Sequence, residues 1–122
     1  MKINVSEEIR AVCPAFVGAA VSITLTNTPY STALWEEINR ELDDYRLRYT
    51  TDSIKEMPAI QATRRIYKAL GKDPSRYRPS GEALVRRTLQ GKSLYQIDTA
   101  VDLINLASIA YGYSIGGFDA DK

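Results

Sequence analysis

The chain has 122 residues and no histidine. Histidine is the commonest general base near neutral pH and the commonest zinc ligand. Its absence excludes Ser-His-Asp and Cys-His mechanisms built from this chain alone. Cys13 is the only cysteine, so no internal disulfide forms and a closed zinc site lacks its ligands. Flanked by Pro14 in an apolar context, Cys13 reads as a packing residue. No apolar run reaches the roughly 18 to 20 residues needed to span a bilayer. The apolar stretch from Ala11 to Leu25 is short and is broken by Pro14, Gly18, Ser22 and Thr24. Glu7 and Glu8 stand where a secretory leader carries basic residues. These absences point to a cytoplasmic protein that holds no metal or cofactor and has no membrane partner.

Hydrophobic residues make up 44% of the chain, enough to build a core, and the length suits one domain over residues 1–122. Val17, Ala19, Val21, Ile23 and Leu25 alternate with small or polar residues, and this period of two predicts a strand over 16–26. Leu34, Ile38, Leu42, Tyr45 and Tyr49 recur every three or four positions behind Ser31 or Thr32 as cap, which predicts a helix from Ser31 to Arg48. Pro58 opens a third element with a stripe of Ile60, Thr63, Ile66, Tyr67 and Leu70, closed by Gly71. Asp73-Pro74 and Arg78-Pro79 mark a loop, Ser80 to Gln90 a helix ahead of Gly91, and Ile97 to Tyr111 a last helix with apolar residues all round it. A second strand is expected over 113–118. The whole reads as mixed α/β, with helices packed on a small sheet.

Charge is unevenly distributed. Residues 64–92 hold nine basic residues against Asp73 and Glu82, a local charge of +7 in a chain whose net charge is +1. Such a block suits a polyanion, because Lys and Arg release counterions from phosphates. Arg64, Arg65, Lys68, Lys72, Arg76 and Arg78 are the candidate RNA contacts, and Tyr67 and Tyr77 among them suit base stacking. A pair of helices with solvated basic faces has the same composition. Asp102 and Asn105 lie three apart on the most apolar helix and share a face. They either line a ligand site or bind backbone groups of a neighbouring loop, since an unpaired buried polar group is costly. Asp119 and Asp121 read as turn formers rather than as a cation site.

The order Pro79, Leu84, Arg87, Gly91, Ile97, Val101-Asp102, Asn105, Gly112 and Phe118-Asp119-x-Asp121-Lys122 resembles the core of the B3/B4 domain of the phenylalanyl-tRNA synthetase beta chain. The run Arg-Arg-x-Tyr-x-x-Leu-Gly-x-Asp-Pro-x-Arg-Tyr from Arg64 to Tyr77 is similar to the freestanding prokaryotic B3/4 proteins. The resemblance implies a tRNA-binding module and, by extension, hydrolysis of mischarged aminoacyl-tRNA. Nothing in the chain resembles an aminoacylation core, so it is not a synthetase. The editing pocket of that family implies pocket positions at Tyr95, Asp102, Asn105 and Gly116. Tyr95 stands where the family has an Arg and Gly116 where it has a His, so the ester-hydrolysis apparatus is altered. The family's domain continues past F-D-x-D-K. The chain is therefore expected to be the N-terminal half of such a domain, or to cover its open faces by forming a homodimer. A small-molecule pocket for an amino-acid-like ligand, or an assembly role without catalysis, are the alternatives on the same fold.

Overall fold

The computed structural model describes residues 2–122 and shows five α-helices: α1 (Glu7–Val12), α2 (Thr32–Arg48), α3 (Pro58–Ala69), α4 (Ser80–Leu89) and α5 (Thr99–Tyr111), with a 3₁₀ turn at Thr51–Glu56 between α2 and α3. The local signals explain most of these boundaries. Ser31 caps α2 by accepting from Leu34 N–H at 3.2 Å. Pro58 begins α3, where a missing N–H costs nothing. Gly71, Gly91 and Gly112 lie at φ between +75° and +80°, just beyond α3, α4 and α5, in the left-handed conformation that ends helices. Ser80 is the first residue of α4 and not its cap, because Pro79 holds that position with φ near −57°. The short helix α1 and the 3₁₀ turn were not anticipated from the sequence.

The core lies where α2, α4 and α5 meet, sealed below by the 3₁₀ turn and α3. Trp35, Ile38, Leu42 and Tyr45 from α2 pack with Ile54, Ile60, Val85, Leu94 and Ile109. These are the apolar positions that the three-and-four spacing of α2 puts on one side. Arg46 reaches from α2 to the end of α4. Its Nε–H donates to Thr88 O at 2.8 Å and its Nη2 to Lys92 O at 3.2 Å. It thus adds a side-chain donor to a helix-end carbonyl that also accepts from Gly91 N–H at 3.0 Å. Burial pushes the Tyr45 hydroxyl above its ordinary pKa, the neighbouring Tyr49 adds to that shift, and Arg48 opposes it.

The expectation of helices on a small sheet is not met: among the described residues the chain is helical and contains no strand. The segments predicted as strands, 16–26 and 113–118, run as chain without regular structure. Alternation reports a residue set suited to a pleated, half-buried surface, but a strand exists only when another backbone pairs with it. Neither segment finds such a partner among the described residues, and Val17, Val21 and Ile23 are 89%, 79% and 66% exposed. The same lack changes α5. Its apolar circumference predicts burial all round, yet only Asp102, Ser108 and Ile109 are buried, and Leu103 is 49% exposed. Cys13 is half-buried and unpaired.

Two contacts tie the irregular segments to the helices. The first turn of α5 is satisfied from two sides. Asp98 accepts from Val101 N–H at 2.8 Å, Asn27 Oδ1 from Ala100 N–H at 3.0 Å, and Thr28 O from Thr99 N–H at 2.9 Å. At the other end, Ser108 Oγ–H donates to Tyr113 O, and Gly81 N–H donates to Ser114 Oγ at 3.0 Å. Gly81 is needed for this approach, because a Cβ there would stand 3.0 Å from both the carbonyl carbon and the oxygen of Tyr113. Overpacking against backbone costs about 1–3 kcal/mol, more than the ~1 kcal/mol that alanine gains over glycine inside a helix. Gly81→Ala is therefore expected to lower the unfolding free energy in urea by about 1 kcal/mol. An unchanged or raised denaturation midpoint would show that the 113–114 backbone yields freely.

Candidate nucleic-acid interface

The basic block folds into α3, the loop 70–79 and α4. The loop is ordered by its own chemistry. Asp73 Oδ1 accepts from Ser75 N–H at 2.9 Å, and Asp73 O accepts from the amides of Arg76 and Tyr77. Pro74 and Pro79 are fully buried and anchor its middle and its far end. Lys72 and Arg76 both sit against the Tyr77 ring, at 4.9 and 5.2 Å from its centre. That contact holds two cations and an aromatic face together on the surface. Arg65 and Lys68 are exposed on α3. Among the described residues none of Arg65, Lys68, Lys72 and Arg76 has a carboxylate within ion-pair distance.

Arg64 and Arg78 are placed differently. Both turn toward Glu82, whose side chain is completely buried in the first turn of α4. Arg64 Nη1 donates to both oxygens of that carboxylate at 2.9 Å, and its Nη2 donates to Ser75 Oγ at 3.1 Å. Arg86 Nε–H donates to Glu82 Oε2 at 3.2 Å, and Arg78 Nε lies 3.4 Å from the same oxygen. Arg78, Glu82 and Arg86 are four apart in sequence and so fall on one side of the helix and its approach. The carboxylate also stands at a helix N-terminus, where negative charge is favoured. One acid thus organises three guanidinium groups. The composition of the block hides this, because Glu82 is one of only two acids among nine bases and a charge count does not say which bases it pairs with. The i±4 spacing of its two neighbours was the signal for it.

Arg87 leaves the block in another direction. Its Nε–H donates to Ser93 O at 2.6 Å, and its guanidinium lies 4.2 Å from the centre of the Tyr95 ring.

The four pocket positions are not gathered into one cavity. Asp102 is buried in the core, accepting from Trp35 Nε1–H on Oδ2 and from Ile97 N–H on Oδ1, each at 3.0 Å. Asn105 is half-buried one turn later. Tyr95 is exposed and stacked with Arg87, and Gly116 lies on the exposed C-terminal segment. None of the four lines either of two concavities among the described residues. One is a groove of about 310 Å³ between the 25–28 segment and α5, lined by Leu25, Thr28, Leu34, Thr99 and Leu103. The other, about 100 Å³, lies between α2 and α5 at Tyr45, Arg48 and Leu106. No helix is long and apolar enough to cross a membrane, and no group of three metal-ligating side chains occurs among the described residues.

A family model, described as the B3/4 domain, matches residues 62–122. The match takes in the last two thirds of α3, the 70–79 loop, α4, α5 and the C-terminal segment, and with them the whole Glu82 cluster. No curated protein and no solved structure matches the chain.

Proposed function

The chain belongs to the B3/4 domain family, and we propose that it is a tRNA-binding module whose contact surface is formed by the exposed cations of α3 and the 70–79 loop. The observation that carries this reading is the state of Arg65, Lys68, Lys72 and Arg76. All four are exposed, two share an aromatic ring, and among the described residues none has a carboxylate within ion-pair distance. Cations held in this way neutralise phosphates at little cost in ordering, and a half-exposed tyrosine beside them offers a face for an unpaired base. Arg64 contributes by positioning the cluster, because its guanidinium is already occupied by Glu82 and Ser75. The setting for this role is the cytoplasm, with tRNA or aminoacyl-tRNA as partner. Hydrolysis of mischarged aminoacyl-tRNA is proposed as the further activity, in which the tRNA terminal hydroxyl and a positioned water would do the work that a histidine would otherwise share.

Total tRNA binding, measured between about 50 and 200 mM salt, should weaken steeply, with log affinity falling by about 0.7–0.9 per phosphate contact for each tenfold rise in salt. Arg65→Ala/Lys68→Ala and Lys72→Ala/Arg76→Ala should each reduce that slope by about 1–2. The same titration with mischarged aminoacyl-tRNA reads deacylation directly. Absence of binding at the lower salt would overturn the tRNA role.

A further inference from the structure

Glu82 carries more positive charge than its own neutralisation requires. Arg64 alone meets both oxygens of the carboxylate and secures its remaining edge on Ser75. Arg78 and Arg86 add two further guanidinium groups to one oxygen, leaving the four-residue cluster with a net charge of +2. Each of these two approaches through Nε, and their Nη nitrogens have no acceptor among the described residues. Their side chains are 45% and 33% exposed, whereas Arg64 is 19% exposed. Two like charges held on a shared oxygen repel one another, and at this partial exposure solvent screens that repulsion only in part.

We propose that Arg78 and Arg86, oriented through Nε by Glu82, form a phosphate-binding subsite. A phosphate carries one or two negative charges at neutral pH, matches the surplus, and accepts paired N–H donors from guanidinium edges. Glu82 supplies orientation: it fixes both guanidinium groups before the anion arrives, so little side-chain freedom is lost on binding. The inference rests on the tRNA reading for the source of the phosphate, an RNA backbone or end. The chemistry of the subsite would accept free phosphate as well.

Thermal unfolding of the full chain in sodium phosphate and in sodium chloride of matched ionic strength tests the subsite, with tRNA binding as a second arm. Phosphate should raise the melting temperature of the wild type above its value in chloride. Arg78→Gln should weaken phosphate affinity by about tenfold or more, the loss expected for a charge-assisted hydrogen bond. In chloride the same variant should melt at the wild-type temperature or above it, because a repelling charge has been removed. Arg86→Gln should repeat both results from the other side of Glu82. A parallel loss of tRNA affinity in either variant assigns the phosphate to RNA. Loss of phosphate binding with tRNA affinity intact keeps the subsite and assigns it to free phosphate. Equal melting in the two buffers, or a loss of stability in both variants that is the same with and without phosphate, overturns the subsite. If tRNA still binds in a salt-sensitive way in that case, the tRNA reading stands without it.

Discussion

Glu82→Ala should lower the unfolding free energy by about 3–5 kcal/mol, the cost typical of removing one partner from a buried ion pair. The change deletes the only carboxylate that faces Arg64, Arg78 and Arg86 among the described residues. Arg64 is the decisive one, because it is the least exposed of the three and loses both of its acceptors on that side. Arg78 and Arg86 can swing toward water, so their individual losses are small. The total is a large share of the 5–15 kcal/mol that holds a domain of this kind together. Glu82→Gln should cost less than the alanine change, since one oxygen remains to accept from Arg64. Urea denaturation of the two variants beside the wild type measures the order. A loss under about 1 kcal/mol for the alanine variant would show that the cluster behaves as a surface ion pair.

Asp102→Ala should cost about 3 kcal/mol, from two hydrogen bonds to a buried carboxylate that are each worth about 1.5–3 kcal/mol less what relaxation recovers. The carboxylate is 1% exposed and joins α5 to α2 through the Trp35 indole and to the preceding loop through the Ile97 amide. Asp102→Asn keeps one acceptor and turns an amide NH₂ toward one of the two donors, so it should fall between wild type and alanine. Trp35 is the only tryptophan in the chain and is 4% exposed, so its fluorescence reports this bond without added labels. A red-shifted emission in the folded alanine variant, together with the lowered urea midpoint, is the expected pair of results. An unshifted spectrum with wild-type stability would mean that Trp35 is held by packing alone.

The helices were legible because their signals are local. Ser31, Pro58, Gly71 and Gly91 act within one turn of their own positions, and the stripe Ile38, Leu42, Tyr45 needs only the helical period. The segment from Phe16 to Thr26 was misread for the opposite reason. Its alternation is real, but pairing depends on a second backbone whose position no local pattern encodes. The exposed face of α5 follows from the same gap. At the candidate interface, counting charges located the cations correctly in sequence but could not sort them. Arg64 and Arg65 are neighbours, yet one is bound to a buried acid 18 residues away and the other is open to solvent. Asp102 stood out as a polar residue on an apolar helix, while its partner Trp35 lies 67 residues upstream and carries no mark of the pairing.

The start of α5 depends on a long-range closure. Two of its first three amide groups are satisfied by Asn27 and Thr28, more than seventy residues earlier in the chain, and one by the adjacent Asp98. A nascent α5 can therefore be begun by its own sequence but not completed by it. The missing acceptors arrive only when the loop between residues 28 and 99 has closed, and the entropy of that closure must be met first. The helix start thus works as a latch between the 27–28 segment and α5. Opening it exposes amides that water can reach, and the stability of the first turn of α5 becomes a measure of whether the N-terminal segment is docked.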